Sequence, residues 1–316
     1  MAGPADAALL AAVAVGSVRG SAALVAARWP HRSPAAAIVL WQALGLAGGL
    51  AAVGALLSLG VPPHSASIAD GLARMASGAV SGHLIGSGHA ALPALLRLSS
   101  LITGLLLLGV LCWVLVAASV TVLYARRRHR VLLALLAHGD PKAPGALVVD
   151  HPTAAAYCLP GLRSRIVVSV GALDLLRPAE LAAVLEHERA HLRERHDLVL
   201  LPFTALRRAF GWSRICSQAQ QSVALLIEML ADDRALRVLS PRALAGALAR
   251  FGTAGSECAP AGSLGMSHPS GEGELAARVS RLLQPAPRLP LPAVAGICCG
   301  ATLLAAVPLA LLALPA

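Results

Sequence analysis

Four long apolar blocks, at residues 7–27, 34–59, 98–124 and 291–314, limit what this chain can fold into more than any other feature. About 20 consecutive apolar residues cross the ~30 Å hydrocarbon core of a bilayer. Inside that core only a helix or a closed barrel satisfies its own backbone polar groups. Each block therefore reads as a transmembrane helix, and the chain as a mainly α membrane protein. The residue totals agree: 57% of the 316 residues are hydrophobic and 13% are charged, against roughly 45–50% and 25% in soluble domains. That balance speaks against a purely soluble enzyme. The expected divisions are residues 1–125 with three spans, a more polar block at 126–288, and the fourth span within 289–316.

A net charge of +10 raises the question of nucleic acid, but aromatic residues make up only 3% of the chain. No basic stripe alternates with stacking residues, as single-strand binders require, so direct nucleic-acid binding is not expected and the lipid bilayer is the partner. Lys and Arg near span ends stay on the cytoplasmic side. Arg28 and Arg32 follow the first span, and Arg126, Arg127, Arg128 and Arg130 follow the third, while the loop at 60–97 has only Arg74 and Arg97. The polar block is then cytosolic, and both termini lie outside the cell membrane. No Lys or Arg precedes the first span, so the basic leader of a cleavable signal peptide is missing. Arg19 within that span reads as a long side chain that reaches the interface or packs against polar groups. Six cysteines include no C-x-x-C pair, which suggests neither a disulfide framework nor a thiolate zinc site.

In the polar block, residues 146–150, 153–159 and 164–170 read as strands of a small hairpin or sheet, the last two joined by Pro160-Gly161. Pro178, with Glu180 in the first turn, opens a helix expected to run to Leu201 and to close at Pro202. A second helix spans 217–239, residues 252–273 form a loose glycine-rich stretch, and an amphipathic helix covers 274–283.

The first of these helices carries His187-Glu188-Arg189-Ala190-His191, an H-E-x-x-H pattern. Residues i and i+4 share a helix face, so two imidazoles can converge on one ion while Glu188, about 100° around, stands beside a bound water. Zinc held this way acidifies water and polarises a carbonyl, and the carboxylate takes the proton. Leu181, Val184, Leu185, Leu192 and Val199 form one apolar arc with Glu188 in its middle, and Glu186, Arg189, Arg193 and Asp197 fall on the solvated side. A carboxylate turned toward an interior is costly unless something there uses it.

A zinc hydrolase needs a third protein ligand. His196 is near in sequence, but on a continuous helix it points away from the pair, and Glu194 stands where a chain reversal would want glycine. It reads as a surface or packing histidine. Glu228 in Glu228-Met229-Leu230-Ala231-Asp232 is the better ligand, with Asp232 one turn on to anchor a ligand imidazole. Ala183 and Ala190 beside the imidazoles, and Ala224, Ala231 and Ala235 beside the acids, would let the two helices approach closely.

With these motifs the chain resembles the integral-membrane zinc metallopeptidases of the beta-lactam-sensing receptor type, the BlaR/MecR antirepressors and their shorter relatives. The resemblance rests on A-V-L-E-H-E-R-A-H-L-R at 183–193, I-V-V-S-V-G-A-L at 166–173, E-M-L-A-D-D at 228–233, A-R-V-S-R-L-L at 277–283, and the three-plus-one arrangement of spans. The zinc and E-x-x-A-D motifs are also similar to those of the heat-shock-induced membrane protease and CAAX-prenyl protease group. The resemblance implies four membrane helices with an inserted α+β gluzincin-like zinc metallopeptidase domain between spans three and four. It implies one Zn2+ on His187, His191 and Glu228, Glu188 as general base, and Asp232 behind a ligand. Two departures stand out. His196 occupies a position where relatives often show an acid, and the chain stops two residues after the fourth span, without the S-x-x-K sensor that full-length receptors carry; its sole lysine, Lys142, lies in the polar block.

The expected activity is hydrolysis of a protein or peptide substrate laid along an edge strand at 164–170, with His268, Arg278 and Arg281 as candidate electrophilic helpers. By analogy the substrate is a winged-helix transcriptional repressor. The alternatives are a quality-control protease for membrane proteins and a non-catalytic zinc-binding membrane scaffold.

Overall fold

The computed structural model describes residues 4–61, 73, 77, 91–161, 164–254, 272–284 and 286–313. Most of the loop between spans two and three lies outside the described residues, as do His268 and nearly all of the expected glycine-rich stretch. Four helices are long and apolar enough to cross a membrane. They are α1 (Pro4–Ala26), α2 (Pro34–Gly60), α3 (Ala91–Leu136) and α10 (Leu291–Ala313). α3 is longer than the expected 98–124 span, running 46 residues, or roughly 70 Å. Arginine is a good helix former, so the cluster at 126–130 continues the helix instead of ending it. Arg19 is exposed on α1.

After α3 come β1 (Ala137–His138), β2 (Ala146–Val149), β3 (Ala156–Leu159) and β4 (Arg165–Ser169), in one sheet of order β1-β2-β4-β3. β4 pairs parallel with β2 and antiparallel with β3. The strand at 164–170 is therefore central, not the edge expected from sequence, because the chain crosses over to place β2 on its other side. β3 is an edge strand, and the Ser169 hydroxyl caps the short helix α4 (Val170–Leu175) that follows β4.

Pro178 opens α5 (Pro178–Arg193), and the Arg177 N–H donates to the Glu180 carboxylate at 2.8 Å. The expected continuation to Leu201 does not occur. Arg195 adopts φ 51° and ψ 45°, a left-handed conformation, and α6 (His196–Ala209) starts in a new direction with Pro202 inside it. α7 (Arg214–Ala235), α8 (Pro241–Thr253) and α9 (Glu272–Leu283) complete the block.

One hydrophobic core joins this block to the membrane helices: Leu24, Ile38, Trp41 and Leu44 share a cluster with Val184, Phe203, Leu226 and Leu248. Trp41 and Phe203 meet edge to face at 6.3 Å, and the Gln42 amide donates to the Val199 carbonyl at 2.8 Å. On α3, Arg126 forms a buried ion pair with Asp197 at 3.0 Å. Asp197, expected on a solvated face, is thus buried; the turn at Arg195 takes it off the face of α5 and sets it against α3.

Candidate metal centre

α5 and α7 pack against each other, and Ala183, Ala190, Ala231 and Ala235 on them are all buried. Small side chains at the contact allow close approach, and that brings the imidazoles of one helix to the carboxylates of the other. His187 Nε2 and His191 Nε2 are 3.0 Å apart. Glu228 completes a triangle, with Oε2 at 3.3 Å from His187 Nε2 and Oε1 at 3.4 Å from His191 Nε2. Ligand bonds of about 2.0–2.1 Å at tetrahedral angles put ligand atoms about 3.3 Å from one another. The two nitrogens and a carboxylate therefore have the spacing and chemistry of a zinc site, and these three residues form a group able to hold a metal ion.

The far side of each imidazole is also held. His187 Nδ1 faces Asp232 Oδ1 at 3.0 Å, a carboxylate placed to hold the imidazole with Nε2 turned toward an ion. His191 Nδ1 lies 3.0 Å from His196 Nδ1, and His196 Nε2 faces Glu194 Oε2 at 3.4 Å. If His191 donates through Nδ1, His196 accepts and presents its own N–H to Glu194, which is itself paired with Arg234. His196, expected at the surface or in simple packing, is only 1% exposed. The reversal at Arg195, made without glycine, turns it back onto His191.

Glu188 is fully buried one residue along from His187. The Cys158 thiol of β3 hydrogen-bonds its carboxylate, and burial together with that carboxylate pushes the thiol well above the usual range. Arg278 of α9 reaches the same cluster. Its Nε and Nη2 donate to Asp232 at 2.9 and 2.7 Å, and its Nη1 lies 3.0 Å from Glu228 Oε2. Burial opposes ionisation of both acids, but this guanidinium and the imidazoles prevail: Asp232 falls to about 2, and Glu228 falls far below the ordinary carboxylate range. Burial likewise lowers His187, yet Asp232 and Glu228 override it and raise the imidazole to about 9, while burial drives His191 well down.

Arg281 is tied to Asp233 at 2.7 Å and to the His31 carbonyl at 2.8 Å. Of the three expected electrophilic helpers, Arg278 is committed to two carboxylates, Arg281 braces α7 against the turn between α1 and α2, and His268 lies outside the described residues. Sequence reasoning missed Cys158, whose strand position gave no sign that its thiol reaches Glu188. It also missed the ionic role of Arg278, which joins residues 46 positions apart in sequence.

Residues 123–272 match Peptidase family M48. The matched stretch includes His187, Glu188, His191, Glu228 and Asp232, and it supports a metallopeptidase, a class that is typically zinc-dependent. No curated protein and no solved structure matches the chain.

Proposed function

We propose that the protein is a membrane-embedded zinc metalloendopeptidase whose site lies on the cytosolic side. The observation that carries this reading is the triangle of His187, His191 and Glu228 with Glu188 buried at its border. Bound there, zinc supplies Lewis acidity that lowers the pKa of water to about 7 and polarises the scissile carbonyl. Glu188 accepts the proton of the attacking water and returns it to the leaving amine. Asp232 and His196 hold the two imidazoles in their ligating tautomers. Cys158 holds the Glu188 carboxylate from β3, the edge strand to which an extended substrate can add main-chain hydrogen bonds.

Regulated cleavage of a cytosolic protein, such as a winged-helix repressor, follows from the resemblance of the motifs to the receptor-type peptidases. A second reading, degradation of membrane proteins, is favoured by the core that the site's helices share with α1 and α2. Proteomics of a deletion strain separates them: one accumulating substrate supports the first, many membrane proteins the second. The test of the chemistry is Glu188→Gln in the purified full chain. Zinc should stay bound while peptide cleavage falls about 10²- to 10⁴-fold; cleavage that persists with zinc bound removes Glu188 as the proton acceptor, whereas an unaltered chain that binds zinc and cleaves no peptide leaves the scaffold reading standing.

A further inference from the structure

The basic cluster that follows the third span is split between two faces of α3. Arg126 is buried, His129 and Arg130 are half-buried, and Arg127 and Arg128 are exposed. Residues 126, 129 and 130 are spaced i, i+3 and i+4, so they share one face of the helix within about 6 Å along its axis.

Each inward residue grips a different wall of the metal centre. Arg126 Nη1 donates to Asp197 Oδ2 at 3.0 Å, and both side chains are buried. Asp197 stands in the first turn of α6, next to His196, whose Nδ1 meets His191 Nδ1 at 3.0 Å. On the other wall, the His129 ring hydrogen-bonds the Tyr157 hydroxyl at 2.7 Å, and Arg130 Nη2 donates to the Pro160 carbonyl at 2.8 Å. Successive strand residues point to opposite faces. Tyr157 therefore packs with Leu133 of α3, while its neighbour Cys158 meets the Glu188 carboxylate of α5.

A buried ion pair is weak evidence for stability, since apolar residues of similar volume often serve as well; its best-attested use is to fix register. The register fixed here is that of α6 on α3. The left-handed turn at Arg195 makes His196 the first residue of α6, so sliding or turning that helix end moves its imidazole off His191. We infer that one turn of α3 positions both sides of the metal centre: Arg126 acts through Asp197 and His196 on His191, and His129 acts through Tyr157 and Cys158 on Glu188. Arg126 and His129 are thus positioning residues. Only the Glu188 side rests on the peptidase reading, because His191 is a candidate ligand whether or not the chain cleaves peptides.

The test uses the full chain in mild detergent, with zinc affinity from chelator competition and kcat and KM from peptide cleavage at saturating zinc. Removing a direct partner of a metal ligand costs about 10- to 100-fold in affinity. Arg126 acts one step further away, so Arg126→Met should cost about 3- to 10-fold, and Arg126→Lys should recover most of it. In a His196→Ala background the same change should cost nothing further, because the route is already cut. Arg127→Met, on the exposed face, removes the same charge and should leave zinc affinity alone. If Arg126→Met folds poorly, Arg126→Met with Asp197→Asn leaves no lone charge and carries the same expectation. Tyr157→Phe removes only the hydroxyl and should lower kcat about 10-fold with KM and zinc affinity unchanged, and this fall should vanish in a Cys158→Ala background. Unchanged zinc affinity in both Arg126 variants that lose the charge, an equal loss with and without His196, or a kcat that Tyr157→Phe leaves in place would each overturn the proposal. A chain that binds zinc and cleaves no peptide fails the peptidase reading instead, and the zinc measurements then decide for α3.

Discussion

Replacing Arg278 by Met keeps most of the side-chain volume and removes the charge. Arg278 and Asp232 are 2% and 1% exposed along their side chains and Glu228 is 10% exposed, so little water can substitute for the lost guanidinium. Three buried carboxylates, Glu188, Glu228 and Asp232, face this one guanidinium, and a divalent cation brings the sum to neutrality. Breaking a buried pair by removing one partner costs about 3–5 kcal/mol. At ~2–4 °C per kcal/mol for a unit of this size, the melting temperature should fall by about 6–20 °C. The assay is thermal unfolding in mild detergent, once with chelator and once with saturating zinc. The deficit should be largest with chelator and smaller with zinc, because the ion takes over part of the neutralisation of Glu228. Adding Asp232→Asn to Arg278→Met should cost less than the sum of the single changes, since it deletes a carboxylate that has lost its partner. Strict additivity, or a melting curve that Arg278→Met leaves in place under chelator, refutes the charge-balance argument.

The support behind His191 can be measured by chelator competition: His196→Ala should weaken zinc binding about 10- to 100-fold, and His196→Asp should restore most of it, whereas equal affinities would leave His196 as packing alone. Without metal His187 keeps its proton up to about 9, so zinc must displace that proton at neutral pH and its apparent affinity should rise with pH until about pH 9. The same raised value stabilises the metal-free fold below its ordinary pKa of 6.5, and that contribution is lost as pH climbs from there toward 9. Calorimetry in buffers of different ionisation enthalpy should show nearly a full proton released by His187 near pH 7.5 and only about a quarter of that at pH 9.5. At the contact of α2 with α3, a Cβ on Gly60 would lie 2.8 Å from the Leu101 backbone nitrogen, so Gly60→Val should destabilise the helix pair by about 1–3 kcal/mol. Unchanged melting of that variant would show that the helices separate freely.

The parts of the molecule visible in sequence are those governed by a short repeat. Apolar runs give the spans, and two i,i+4 pairs, His187 with His191 and Glu228 with Asp232, define the faces that meet between α5 and α7. Contacts decided by chain reversal or by distant partners were not visible. Nothing in Glu194-Arg195 signals a left-handed residue, so the sequence pattern puts His196 and Asp197 on faces of a helix that in fact ends at Arg193. The place of β4 depends on a parallel pairing with β2, for which periodicity carries no information. Arg278 looks like any exposed arginine of an amphipathic helix until α9 is laid across the ends of Glu228 and Asp232. Cys158 is one apolar residue in a strand until that strand is placed next to α5.

Because Trp41, Ile38 and Leu44 of α2, a helix long and apolar enough to cross a bilayer, help wall the same core as Val184 and Leu226, the block that carries the candidate metal centre is not a detachable module. Cutting the chain after Ala125 and before Leu291 would strip that wall away and bare an oily flank to solvent. It would also leave α7 without its brace at His31. Recombinant work on the isolated polar segment would therefore sample a different, collapsed object. Evolution faces the same constraint: a new specificity has to be found by changing loops and rims, since transplanting the catalytic part means transplanting its anchor as well.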